Sequence, residues 1–270
     1  LEFSMSRTFP SGFAISMNAN TNPEAAPQQQ KVNYGLDAPI FQRSALFGGL
    51  AAAILGTLIA RWAQQHDSQL VLTCATAVAW TGLWFFLTGC VMFWGSKVGK
   101  LHLRDKIIAS IPWRGDEQVL DVGCGHGMML LAAAKQLKSG RAIGIDIWSQ
   151  ADQADNNPES TLANARLENV ADRVEIQNAD ARSLPFPDNS FDVVVSSFVI
   201  HNLNRPADRE QVIREIARVL KPGGQLAIAD IRHTGQYQRT LRSLGWTSLD
   251  RWFPNFLFVT PTRVLRGTKP

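Results

Sequence analysis

A doubly wound α/β sheet preceded by a hairpin of two membrane-crossing helices is the architecture this 270-residue sequence predicts. Three observations carry the reading. Two long stretches near the N-terminus, Ser44–Ala60 and Ser68–Ser96, hold no charged residue. From about residue 101 onward, short apolar strands alternate with helical patterns, the rhythm of a parallel sheet. The first of those strands runs into a glycine-rich turn, Val119–Gly127, that opens a helix.

A bilayer-spanning helix needs about 20 mostly apolar residues. The second uncharged stretch, between Asp67 and Lys97, is long enough. The first, between Arg43 and Arg61, is at the lower limit and requires its arginines to snorkel. Gly48, Ala52, Gly56 and Ala60 recur every four residues, which predicts a small-residue face where a second helix can approach. Trp80, Trp84 and Trp94 in the second stretch suit a membrane interface. A pair of buried core helices is the competing interpretation. Lys97, Lys100, Arg104 and Lys106 follow the second span, and Lys31 and Arg43 precede the first, whereas the intervening loop offers Arg61, His66 and Asp67. By the positive-inside rule both termini and the C-terminal domain are expected on the cytoplasmic side of an integral membrane protein with two spans. The basic cluster after the second span is also suited to anionic headgroups.

These boundaries give a polar, flexible tail over 1–40, two spans within 41–96 (about 44–61 and 70–95), and a folded domain over 97–270. The chain begins at Leu1, so a translation start at Met5 or Met17, or residual vector sequence, is expected. With 45% hydrophobic residues, 19% charged and a net charge of +4, the chain can build a core without a staple. Its three cysteines, two in apolar runs and Cys124 in the glycine turn, make neither a disulfide framework nor a metal site. The basic residues cluster beside the spans with no aromatic–basic platform, which excludes nucleic acid as a partner.

Within the domain the pattern predicts helices over 101–111, 128–137, 158–169, 207–220 and 238–244. Strands are expected over 118–122, 141–146, 174–177, 191–196 and 224–230, with a terminal pair over 256–260 and 263–266. The turn reads Gly123-Cys-Gly-His-Gly127, and residue 128 is Met, so neither a dinucleotide fingerprint nor a P-loop is complete. Asp121, two residues before the first glycine, would repel a pyrophosphate but suits a cationic amino group or a sulfonium. Asp146, ending the second strand, is placed to accept ribose hydroxyls, and Asp180 follows the third strand. All three acids are expected at the crevice beyond the strand ends.

These residues, with the segment Asn178–Arg182, the run Leu184–Ser197 and Arg218-Val-Leu-Lys-Pro-Gly-Gly224, resemble the class I S-adenosylmethionine-dependent methyltransferases. Within that family the chain is similar to the UbiE-like, methyltransferase type 11 group. The resemblance spans roughly 101–270 and implies a Rossmann-like sheet of seven strands whose last is antiparallel. It implies S-adenosyl-L-methionine as cofactor, with Asp121, Gly123, Cys124 and Gly125 toward its methionine part. Asp146 would hold the ribose, Ile147 pack on the adenine, and Asp180 and Ala181 bond the adenine edge, while Phe198 would line the methyl-donor pocket. His201 is the candidate general base, with a backbone-bonded loop histidine as the alternative. No (D/N)PPY follows the fourth strand, which weakens a reading as an adenine or glutamine methyltransferase. The polar insert 149–157 is expected to fold over the cofactor.

The function expected is transfer of a methyl group to a small acceptor that partitions into the bilayer, such as a quinone, phenol, sterol-like molecule or lipid. A soluble metabolite or thiol acceptor and a non-catalytic membrane scaffold are the alternatives, with a dinucleotide oxidoreductase more distant.

Overall fold

The computed structural model describes residues 31–35, 39–149, 156–252, 254 and 261–270. Two long helices open it, α1 (Pro39–Gln65) and α2 (Gln69–Ala109), each interrupted by a single π-helical turn, at Ser44–Gly48 and Gly95–Gly99. Both are long and apolar enough to cross a membrane, and little of either is buried within the protein. The chain reverses between them at Asp67, whose φ of 49° is left-handed, with Ser68 N donating to Ala63 O at 3.1 Å. Residues 101–111, expected as a separate helix, are instead the continuation of α2. No glycine–proline break intervenes, and Leu103, Ile107 and Ile108 anchor this end in the domain core.

The hairpin packs through small residues, but in a different register from the one expected. Gly49, Gly56 and Ala63 are buried on α1, and Ala75, Gly82 and Gly89 on α2, both sets at seven-residue spacing. That is the period of a coiled-coil seam rather than a four-residue stripe. A side chain at Gly56 would meet Ala79 N at 2.6 Å, and one at Gly49 would meet Phe86 N at 2.5 Å. Gly48 faces open space and takes no part. Gly82→Leu is therefore expected to destabilise the hairpin by about 1–3 kcal/mol through overpacking, with Gly48→Leu nearly neutral; paired thermal unfolding in detergent measures the difference. Trp80 and Trp84 project from the middle of α2, so of the three tryptophans only Trp94 lies at its apolar end, with Trp62 near the far end of α1. Lys100 is 3% exposed, which removes it from the basic cluster that could reach lipid and leaves Lys97 and Lys106 exposed there.

The domain is one seven-stranded sheet of order β3-β2-β1-β4-β5-β7-β6. Strands β1 (Gln118–Val122), β2 (Arg141–Asp146), β3 (Val174–Asn178), β4 (Phe191–Ser197) and β5 (Leu220–Asp230) are parallel. Strand β7 (Arg263–Thr268) runs antiparallel to β5 and to β6 (Leu249–Arg251). The partner found for the last strand is thus residues 249–251, and the expected strand over 256–260 lies outside the described residues. The β-branched runs explain the strands: Val119, Val193 and Val195 face one core, and Leu120, Val122 and Val194 the other. On the first side pack the end of α2, α3 (Met128–Ala134) and α4 (Pro158–Leu167); on the second, α5 (Pro206–Val219) and α6 (Thr234–Ser243). Helices α4 and α5 both begin with proline, and Asn157 caps α4 by accepting from Ser160 N at 2.8 Å.

Candidate functional site

Strand order reverses between β1 and β4, and in open α/β sheets ligands bind beyond the carboxyl ends at that point. A cavity of about 640 Å³ opens there, and every sequence-derived candidate residue lines it. The glycine turn forms its floor. Gly123, Gly125 and Gly127 have φ of 74°, 48° and 85°, the left-handed region that a side chain strains. At Gly123 a Cβ would also collide with the Val199 side chain. Cys124 is buried, and burial pushes its thiol well above the ordinary range, which leaves a packing residue and not a nucleophile.

Asp146 organises the turn. Its carboxylate accepts from Gly125 N at 2.9 Å and from Trp148 N at 2.7 Å, with Asn156 Nδ2 at 3.4 Å. Thr161 at the start of α4 donates to Gly125 O at 2.5 Å. The next residue, Ile147, is 63% exposed and turns an apolar face to the cavity. Asp180 is clasped by the Arg182 side chain, through Nε at 3.0 Å and Nη2 at 2.6 Å, and that guanidinium holds its carboxyl below the usual range. Ala181 lies beside it on the cavity wall. Residues 150–155 of the polar insert lie outside the described residues.

Asp121 is different in kind. It is 1% exposed, and among the described residues neither carboxylate oxygen has a hydrogen-bond partner of normal geometry. Burial pushes its pKa up to about 8, opposed by the Leu130 amide and reinforced by the charge of Asp146. An orphaned buried carboxylate costs free energy unless a partner arrives. A ligand amino group at the glycine turn is such a partner. These residues therefore fit a cofactor with a cationic amino-acid end, a ribose and a flat base.

Opposite the turn, Phe198 adopts φ 59°, uncommon for a bulky residue, and is held by its amide donating to Ala229 O at 2.9 Å. His201 follows on a short 3-10 turn, Ile200–Asn202. Its Nδ1 lies 2.6 Å from Asp230 Oδ1, off the line of a straight hydrogen bond, and its amide donates to Asp230 Oδ2 at 3.1 Å. Tyr237 Oη, fully buried, donates to the same oxygen at 3.1 Å, and Ile231 N donates to Oδ1 at 2.8 Å. Asp230 ends β5, so the rule that selected Asp146 and Asp180 also selects it. Tyr237 has no comparable sequence signal, because only the packing of α6 brings it to β5.

Fold and site together define a seven-stranded α/β architecture, with the strand next to one edge antiparallel and a glycine turn between β1 and α3. Residues 120–228 match the model of a family described as "Methyltransferase domain". Among curated relatives, the demethylmenaquinone methyltransferase of Lactobacillus johnsonii is 35% identical over 156 residues, 57% of this chain and 58% of that protein. The 27-O-demethylrifamycin SV methyltransferase of Amycolatopsis mediterranei is 38% identical over 48% of this chain and 44% of its own. The 2-phytyl-1,4-naphtoquinone methyltransferase of Synechococcus elongatus is 34% identical over 50% and 54%. The chain thus spans about half the length of the curated relatives it matches. Among solved structures, the [4+2]-cyclase SpnF superposes with a TM-score of 0.55 at 23% identity, covering 65% of this chain and 83% of that one. An S-adenosylmethionine-dependent methyltransferase from Aquifex aeolicus gives 0.51 at 19% identity, covering 64% and 94%. At those identities the likeness establishes the fold. The domain match and the named relatives support S-adenosylmethionine as the cofactor.

Proposed function

We propose that this protein is a membrane-anchored methyltransferase that methylates a hydroxylated, lipid-soluble acceptor. The observation that carries the reading is a single cavity lined by both the unpartnered Asp121 carboxylate and His201 backed by Asp230. When bound, S-adenosylmethionine supplies an electrophilic methyl group: the acceptor oxygen forms the new C–O bond as the S–CH₃ bond breaks, leaving a neutral thioether. The chain's part is to align and to move one proton. Asp121 would pair with the cofactor's ammonium, Asp146 would hold its ribose, and Ile147 would cover one face of its base. His201 takes the acceptor's hydroxyl proton on Nε2, while the Asp230 carboxylate, which accepts from the His201 amide, lies close enough to Nδ1 to stabilise the imidazolium that forms. Alignment supplies much of the remaining acceleration.

Two apolar helices and relatives named for quinone acceptors favour a bilayer-partitioning substrate. Both termini lie on the cytoplasmic side in this reading, with Trp94 and Lys97 marking the inner interface and Trp62 the outer one. A soluble acceptor is the second reading, supported by the relative named for a rifamycin.

The test is calorimetric titration of the full chain in detergent with S-adenosylmethionine and, in parallel, with a reduced dinucleotide. Binding of the first alone is expected. Asp146→Ala is expected to weaken it about 10–100-fold, the worth of charge-assisted hydrogen bonds at about 1.5–3 kcal/mol. No binding by folded wild-type protein would sink the enzyme reading in favour of a scaffold.

A further inference from the structure

The cavity has a wall that the sheet does not supply. Tyr34, Met92, Ser96 and Lys100 line it, and all four come from the N-terminal hairpin or the segment leading into it. Met92, Ser96 and Lys100 lie at four-residue spacing along one face of α2, across the π-helical turn Gly95–Gly99. Such turns re-register a helix and recur at functional sites. Resting on the methyltransferase reading, we infer that this face of α2 is the acceptor subsite. The acceptor is then an amphiphile whose hydroxylated ring enters toward His201 while its apolar tail stays along α2 in the bilayer.

The chemistry of the wall is graded as such a molecule requires. Lys100 and Ser96, both 3% exposed, are the polar inner end, and Met92 is the apolar outer end. Lys100 Nζ donates to Tyr34 O at 2.9 Å and to Gly35 O at 3.0 Å, tying the lead-in segment down beside the cavity. Asn164 and Glu168 of α4 hold the same segment: Asn33 N donates to Asn164 Oδ1 at 3.1 Å, and Tyr34 Oη to Glu168 Oε1 at 2.9 Å. At a rise of about 1.5 Å per residue, Met92 and Lys100 are about 12 Å apart along the axis. The uncharged stretch of α2 ends at Ser96, within that interval. A ring-sized head therefore reaches the site without its tail leaving the apolar phase. The wall cannot drift from the chemistry, because the same unbroken helix buries Leu103, Ile107 and Ile108 in the sheet core. Met92, long and unbranched, suits a flexible chain.

The experiment uses the full chain in phosphatidylcholine nanodiscs, radiolabelled S-adenosylmethionine, and two probes: a reduced naphthoquinol bearing a polyprenyl tail and the same ring without a tail. The tailed probe is expected to show at least about tenfold higher kcat/KM. Met92→Trp is expected to raise KM for the tailed probe about tenfold with cofactor affinity unchanged, and Met92→Leu to restore it. Equal kcat/KM for the two probes, an unchanged KM in Met92→Trp, or no transfer to either probe while the cofactor binds would each overturn the subsite. Failure of the wild-type protein to bind the cofactor overturns the methyltransferase reading itself, and the subsite with it.

Discussion

His201→Ala is expected to lower kcat for methyl transfer by about 10²–10⁴-fold, the usual contribution of a positioned general base, with cofactor affinity unchanged. The imidazole lines the cavity, and its Nδ1 lies 2.6 Å from a carboxylate that is itself 1% exposed. Asp230→Asn is expected to give much of the same loss, because it removes the charge that stabilises the imidazolium. Asp230 acts through His201, so it is a positioning residue, and Asp230→Asn added to His201→Ala is expected to cost little more than His201→Ala alone. Tyr237→Phe leaves Asp230 short of one donor and is a milder version of the same lesion. Steady-state kinetics of both single variants and the double variant with a hydroxylated acceptor decides it, and an unchanged kcat in His201→Ala would remove His201 from the chemistry.

The second large effect is a pH dependence of cofactor affinity set by Asp121. In the folded protein without cofactor its pKa is raised to about 8, against about 3.9 in an unfolded chain. The stability contributed by the neutral acid is therefore fully present below about pH 4 and lost as pH rises through about 8. A cationic amino group pairs with the ionised form, so binding must drive a proton off Asp121 anywhere below that pKa. Each pH unit is then worth up to tenfold, and affinity is expected to strengthen by up to about 100-fold between pH 6 and pH 8. Titrations in two buffers of different ionisation enthalpy should report release of close to one proton near pH 6.5. Asp121→Asn is expected to bind about 10–100-fold more weakly at pH 8 and to lose most of the pH dependence. Equal slopes in wild type and variant would place the proton elsewhere.

Much of the domain was legible because its signals are local. Strands β1 and β2 coincide with the expected ranges, since Val119, Leu120 and Val122 in the first and Ala142, Ile143 and Ile145 in the second are closely spaced apolar residues just before Gly123 and Asp146. Helix α4 begins at the expected Pro158, and α5 begins at Pro206, one residue before the expected start. The glycine turn, Asp121 and Asp146 stood out because a bent backbone before a helix and a carboxylate at a strand end each need particular residue types at particular spacings.

Other features had no local signature. Gly48 and Gly49 are adjacent and identical, and only the azimuth of α2 across the hairpin puts one in the seam and the other in open space. Lys100 looked like a member of a basic cluster until the chain's lead-in segment folded over it. Residues 101–111 looked like a helix of their own, because composition changes abruptly where the apolar stretch ends although the backbone does not break.

The sequence by itself determined the five parallel strands, the two apolar helices, and the glycine turn with its acids, because each depends on neighbours a few residues apart. Only the tertiary structure decided that Asp230 and Tyr237 stand behind His201, that the sheet's last strand pairs with residues 249–251, and that α2 supplies a wall of the cavity. Those contacts join segments far apart in the chain, so they depend on how the sheet and helices pack.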